Sequence, residues 1–185
     1  ALHGLAPSPP PDRARILELG CASGGNLLPM AARWPNARFV GFDLSARQIA
    51  DGQRRVNYFG LNNLELAQAD LADLRLPPGS FDYVICHGVF SWVPPAVQEA
   101  ILGLIGQCLS DNGVAAVSYN VSPGWHLRNP VREFIRYYAG TDGTPGERVE
   151  RAKSALAALG KRTGPGAYGA LMRAEAELLE KIPSS

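Results

Sequence analysis

ILELGCASGGN, residues 16–26, runs from an apolar, strand-like stretch into a turn built almost wholly of small side chains. A buried strand that breaks into Gly20, Cys21, Ala22, Ser23, Gly24 and Gly25 brings main-chain N–H groups and the start of a helix close to a ligand, because no Cβ stands in the way. On one side, residues 14–19 form the strand. On the other, NLLPMAARWPN carries Leu27, Leu28 and Ala31 at helical spacing, and a second apolar run follows over residues 38–43. The alternation then repeats. SARQIADGQRRVNYFG reads as a helix, LELAQAD and FDYVICHG as the third and fourth strands, PAVQEAILGLIGQCLS as a helix and GVAAVSYN as a fifth strand. These strands are almost continuously apolar, which fits a parallel sheet covered on both faces. The expected fold is α/β, a doubly wound, mostly parallel Rossmann-like sheet of five visible strands followed by helices. In such sheets ligands bind beyond the carboxyl ends of the strands, at the point where strand order reverses.

The bulk properties bound the function. A chain of 185 residues, 46% hydrophobic, suits one ordinary domain with a real core. Its net charge of +1 is spread evenly: 8 basic and 10 acidic side chains up to residue 120, then 10 and 7. That balance gives no field to gather nucleic acid or a membrane surface. Cys21, Cys86 and Cys108 are too few and too far apart for a disulfide framework, and no CxxC pair exists to hold a metal. A reducing, cytoplasmic setting is expected. The first fifteen residues lack the apolar core of a signal peptide and their proline run reads as an extended lead-in; no stretch of about 18 apolar residues follows. No internal repeat is evident.

After Trp125 the pattern changes. NPVREFIRYYAG predicts a helix with Asn129 as N-cap, Pro130 at its first position and Gly140 as its stop. TPGERVERAKSALAALG predicts a second, opened by a capping box of Thr144 with Glu147, carrying an apolar stripe of Val149, Ala152, Leu156 and Leu159 and ending at Gly160. A third runs roughly over residues 168–181, and no strand is visible beyond Asn120.

The glycine turn suits two cofactor classes. A dinucleotide would rest its pyrophosphate there; S-adenosylmethionine, without phosphate, would rest its methionine tail and ribose. Asp43 ends the second strand 23 residues after Gly20, where a carboxylate accepts from both ribose hydroxyls in either class. Asp70 ends the third strand, where a carboxylate accepts from an adenine amino group. Hydride chemistry lacks its usual proton relay here. No tyrosine has a lysine four residues later, and the three lysines all lie beyond residue 150.

ELGCASGGN, GFDLS, QADL and FDYVICHGVFSWVP resemble, in order and spacing, the class I S-adenosylmethionine-dependent methyltransferases. HGVFSWVP and VSYNVSPGW further resemble the bacterial group in which such a core precedes a methyltransferase regulatory domain, a group that includes the rickettsial-type protein lysine methyltransferases. The resemblance covers about residues 14–128. It implies S-adenosyl-L-methionine as cofactor, held by Glu18, Gly20, Cys21, Ala22, Gly24, Asn26, Asp43, Leu44, Gln48, Asp70, Leu71, His87 and Gly88, with no metal. Asp43 would hold the ribose or cap the following helix. Leu44 would pack on the adenine, Asp70 would bond its amino group unless Asp73 caps the turn instead, and Leu71 would offer an N–H. Glu18 would order water or backbone near the methionine amine, or cap the loop.

His87, Tyr119 and Asn120 are candidate catalytic residues. Ser91, Trp92, Tyr119 and Trp125 are candidates for binding the methyl acceptor, with the aromatic rings suited to an amine or methylated nitrogen. Each also has an ordinary packing role open to it, as Cys21 and Cys86 do. Ala22 stands where the family has its middle glycine, and is tolerated if its φ stays negative. The expected activity is methyl transfer to an acceptor, with a protein lysine amine as first choice. A nicotinamide-dependent oxidoreductase module and a non-catalytic cofactor-binding or regulatory module are the alternatives. The sixth and seventh strands of a class I core are not visible, and the chain does not begin with methionine. The expectation is therefore an incomplete core over residues 1–125 and a helical extension or insertion over 126–185, cut from a longer protein.

Overall fold

The structure, a computed structural model, describes residues 6–181; the ends of the lead-in and of the last predicted segment lie outside them. The chain divides into two compact units, parting after Tyr119. The first contains β1 (Arg15–Leu19), α1 (Leu27–Arg33), β2 (Arg38–Asp43), α2 (Ala46–Tyr58), β3 (Leu64–Gln68), β4 (Phe81–Cys86), α3 (Pro95–Cys108) and β5 (Leu109–Val117). The strands form one sheet in the order β3-β2-β1-β4-β5, and every pair is parallel. Strand order reverses between β1 and β4. The fold expectation is met.

Side chains alternate across the strands, so the central strands β1, β2 and β4 feed two cores, one on each face of the sheet. Ile16, Phe39, Leu64 and Leu66 pack with Leu27, Leu28, Ala31 and Ile49 from α1 and α2 on one face. Leu17, Leu19, Val84 and Cys86 pack with Ile101, Leu104, Ile105 and Cys108 from α3 on the other. Ser45 caps α2, accepting from the Gln48 N–H at 3.4 Å. At the amino ends of the strands, Asp82 ties β1, β4 and β5 together. Its Oδ2 accepts from the Arg15 backbone N–H and Nε at 3.0 and 3.1 Å, and its Oδ1 from Arg15 Nη2 at 2.7 Å and Ser110 Oγ at 3.0 Å.

The fifth strand differs from its expectation. It begins at Leu109, directly after α3, and its register against β4 slips between Phe81 and Tyr83. Among the described residues β5 pairs with β4 alone, and Val114, Ala115 and Ala116 are exposed.

The second unit holds α4 (Asn129–Ala139), α5 (Pro145–Arg162) and α6 (Ala167–Glu180) around Val131, Leu156 and Met172. The capping box is present: Thr144 N–H donates to Glu147 Oε2 at 2.7 Å and Glu147 N–H to Thr144 Oγ1 at 3.3 Å. Gly140, with φ 66°, ends α4 as expected. Two local expectations fail. Asn129 is the first helical residue, Arg128 stands at the cap position, and no side chain caps that end. Gly160 does not stop α5, which continues two residues beyond it; it is buried against Met172 and Arg173, so its lack of a side chain serves helix–helix contact.

Candidate functional site

Because all five strands are parallel, their carboxyl ends share one edge of the sheet, and the sequence-predicted residues of the first unit fall there. Glu18 lies on the α1 face of β1 and is 5% exposed. Its Oε1 accepts from Asn26 Nδ2 at 3.1 Å, whereas Oε2 is buried without a hydrogen-bond partner among the described residues. Burial pushes the Glu18 carboxyl above its ordinary range; the Asn26 bond and the nearby His87 pull it part of the way back. A buried acceptor left unmatched costs stability, and such groups mark sites built for something else to fill.

The turn after β1 is folded back on itself. Gly20 and Cys21 both donate to the Phe42 carbonyl, at 2.8 and 3.0 Å, and Gly24 donates to the Cys21 carbonyl at 2.8 Å. Ala22 donates to Asp43 Oδ2 at 2.8 Å, and Asp43 Oδ1 accepts from the Ser45 N–H at 2.8 Å. The carboxylate that ends β2 thus holds both the glycine turn and the entry to α2, each oxygen keeping acceptor capacity to spare. Ala22 lies at φ 49°, so the negative φ that would make an alanine easily tolerated here is not what the turn adopts. The turn requires the left-handed conformation that glycine adopts freely, and the Asp43 bond holds an alanine there instead.

The small residues also divide their work differently from the simple expectation of space for a ligand. A Cβ on Gly20 would stand 2.2 Å from Val89 Cγ2, and one on Gly24 would stand 3.0 Å from Leu66 Cδ1; only at Gly25 is the position open. Cys21 is buried, and its thiol is pushed up to about 12, first by burial and then by the Asp43 and Glu18 carboxylates. It is a packing residue, not a nucleophile.

Leu44 follows Asp43 and is 65% exposed, an apolar surface beside the strand ends, with its carbonyl accepting from Gln68 Nε2 at 3.2 Å. Asp70 is exposed and itself caps the turn, Oδ1 accepting from the Ala72 N–H at 2.9 Å while its carbonyl accepts from the Asp73 N–H at 3.1 Å. Leu71 is buried in the second core. Gln48 sits in the first turn of α2.

His87 and Gly88 follow β4 and are exposed, with Gly88 at φ 74°. Ser91 and Trp92 lie in or beside a single 3-10 turn over Phe90–Trp92, and Trp92 is 53% exposed. Tyr119, 63% exposed, meets the Phe90 ring edge-on at 6.4 Å between centroids. Asn120 and Trp125 belong to the second unit. There the cation over the Trp125 ring is the chain's own Arg128, 5.7 Å from its centroid and paired with Glu175 at 2.9 Å. Among the described residues no group of three or more His, Cys, Asp or Glu side chains could hold a metal ion, and no helix is long and apolar enough to cross a membrane.

Comparison with known proteins agrees with this arrangement. Residues 16–113 match the family model described as a methyltransferase domain. An uncharacterized protein of Rickettsia prowazekii is 39% identical over 178 residues, covering 94% of this chain and 32% of its own length. A second uncharacterized protein of that organism is 36% identical over 188 residues, covering all of this chain and 74% of its own. The solved structure of PKMT2 from Rickettsia typhi in complex with AdoHcy superposes with a TM-score of 0.73 at 35% identity, covering 97% of this chain and 34% of that one. This chain therefore spans about a third of the first relative and of PKMT2. By the match over residues 16–113, the chain belongs to the methyltransferase domain family.

Proposed function

We propose that the sheet unit binds S-adenosylmethionine along the carboxyl edge of its strands and presents it for methyl transfer to a protein amine, a lysine side chain. One observation carries the cofactor reading: the buried Glu18 carboxylate, with an oxygen that has no hydrogen-bond partner among the described residues, at the foot of a glycine turn. A cofactor ammonium is a suitable partner for it. Asp43 retains acceptor capacity for two ribose hydroxyls, exposed Leu44 offers an apolar face to the adenine, and Asp70 with the Leu71 N–H suits its polar edge. That PKMT2 was solved with AdoHcy supports the same reading.

When bound, the sulfonium supplies an already activated methyl group. The chain's own task is to orient. An acceptor nitrogen has to be held about 3 Å from the methyl carbon, and alignment supplies much of the rate. A lysine, with an ordinary pKa of about 10.4, has to arrive neutral, which desolvation or a proton acceptor achieves. Exposed His87 is the proton acceptor in this proposal, and Ser91, Trp92 and Tyr119, of the same unit, line the approach.

Calorimetric titration with S-adenosylhomocysteine and with NADH tests the cofactor assignment. The first should bind and the second should not, and Asp43→Ala should weaken binding by about 50-fold through loss of charge-assisted hydrogen bonds. Binding of NADH alone would point to the oxidoreductase alternative. Transfer of radiolabelled methyl from S-adenosylmethionine to extract proteins, followed by amino-acid analysis for methyllysine, tests the acceptor.

A further inference from the structure

The bare Cα of Gly20 is not bare toward solvent. Val89 Cγ2 lies 2.2 Å from where a Gly20 Cβ would be, with Val89 Cβ at 3.3 Å, so one valine methyl fills the notch. Gly20 follows β1 and Val89 follows β4, the two strands between which the sheet order reverses. The segment 87–92 is held from its other sides too. Gly88 N–H donates to Ser118 Oγ at 3.0 Å, Gln98 Nε2 on α3 donates to the Phe90 carbonyl at 2.8 Å, and the Phe90 ring meets Tyr119. Three separate elements, the glycine turn, α3 and the end of β5, therefore fix one short segment. It carries exposed His87 at one end and exposed Trp92 at the other.

We infer that Val89, seated in the Gly20 notch, is a positioning residue that locks the acceptor-side segment 87–92 to the cofactor-side turn, with Gln98 as the second anchor. The inference rests on the proposed methyl-transfer function. Neither side chain need touch cofactor or acceptor. What they fix is the distance between the turn that holds one reactant and the segment that receives the other, and displacement of about 1 Å is enough to cost large factors in rate. Gly20 is then a glycine for a reason beyond its φ of 75°: a side chain there would expel Val89.

The test uses the full-length protein with Val89→Ala and Gln98→Leu, read by three measurements. In hydrogen exchange, amides of residues 87–92 should exchange about tenfold faster in Val89→Ala and Gln98→Leu, while β1 and the body of α3 stay protected. Radiolabelled methyl transfer to extract proteins should fall about tenfold or more in both, with S-adenosylhomocysteine affinity held within about threefold. Unchanged exchange in segment 87–92 would overturn the inference. So would parallel loss of affinity and turnover in Val89→Ala, which would make Val89 a part of the cofactor turn's own packing. A wild-type protein that binds no S-adenosylhomocysteine would sink the functional proposal instead, while the exchange data would still decide whether the lock exists.

Discussion

At the residue scale two side chains sit where stability alone would not place them. Glu18 is a buried carboxylate with one oxygen unmatched, and its pKa is raised by burial above the ordinary 4.5. Its folded form favours the proton, so its contribution to stability is whole below the unfolded value and is lost as pH rises through the raised one. Glu18→Gln removes that loss. Thermal melts should show the variant about 1 kcal/mol more stable at pH 8 and indistinguishable at pH 4, while S-adenosylhomocysteine binding weakens. Equal melting at both pH values would count against a buried charge at this position. Ala22 at φ 49° is the second case. The left-handed region costs a non-glycine residue about 1 kcal/mol, partly offset by the greater unfolded-state freedom of glycine. Ala22→Gly should therefore raise the urea midpoint by a margin equivalent to about 0.5 kcal/mol, with an unchanged m-value.

At the scale of elements, the amino ends of β1, β4 and β5 are held by Asp82. Its carboxyl is lowered to about 2, chiefly by the Arg15 side-chain hydrogen bonds, against an ordinary 3.8. A depressed carboxylate contributes stability above its unfolded pKa and loses it as pH falls through the folded one. The window is accordingly pH 4 down to pH 2, and the amount is about 2 kcal/mol. Asp82→Asn should cost about that much at pH 7 and flatten the acid limb of a stability-against-pH curve, because Asp82 is nearly buried and its partners stay behind. Strand β5 shows what pattern alone leaves open. GVAAV is as apolar as an interior strand, and its pairing with β4 among the described residues, with the register slip between Phe81 and Tyr83, is read only once neighbours are assigned.

For the molecule as a whole, the two units own separate cores, one pair flanking the sheet and one around Val131, Leu156 and Met172. Leu156 is fully buried, and Leu156→Ala should cost about 3 kcal/mol by transfer and cavity terms. In so small a core that loss should open α4–α6 first. Hydrogen exchange would then rise throughout residues 129–180 while sheet amides keep their protection; uniform loss over both units would show them to be one cooperative body.

Residue pattern was enough to read off the sheet, its strand-end turns and the capping box of α5. These depend on periodicity and on local backbone chemistry, which a few neighbouring residues fix. It also marked Asp43, Asp70 and His87, because residues that end parallel strands must meet at one edge. Tertiary structure alone decided that Val89 fills the Gly20 notch, that Asp43 holds Ala22 left-handed, that Glu18 is left half satisfied and that Arg128 covers Trp125. The first three join residues from 8 to 69 positions apart, and Gly160 likewise meets Met172 and Arg173 of α6, 12 and 13 positions on. No local pattern encodes such contacts: a valine after a glycine reads the same whether it meets solvent or another strand's main chain.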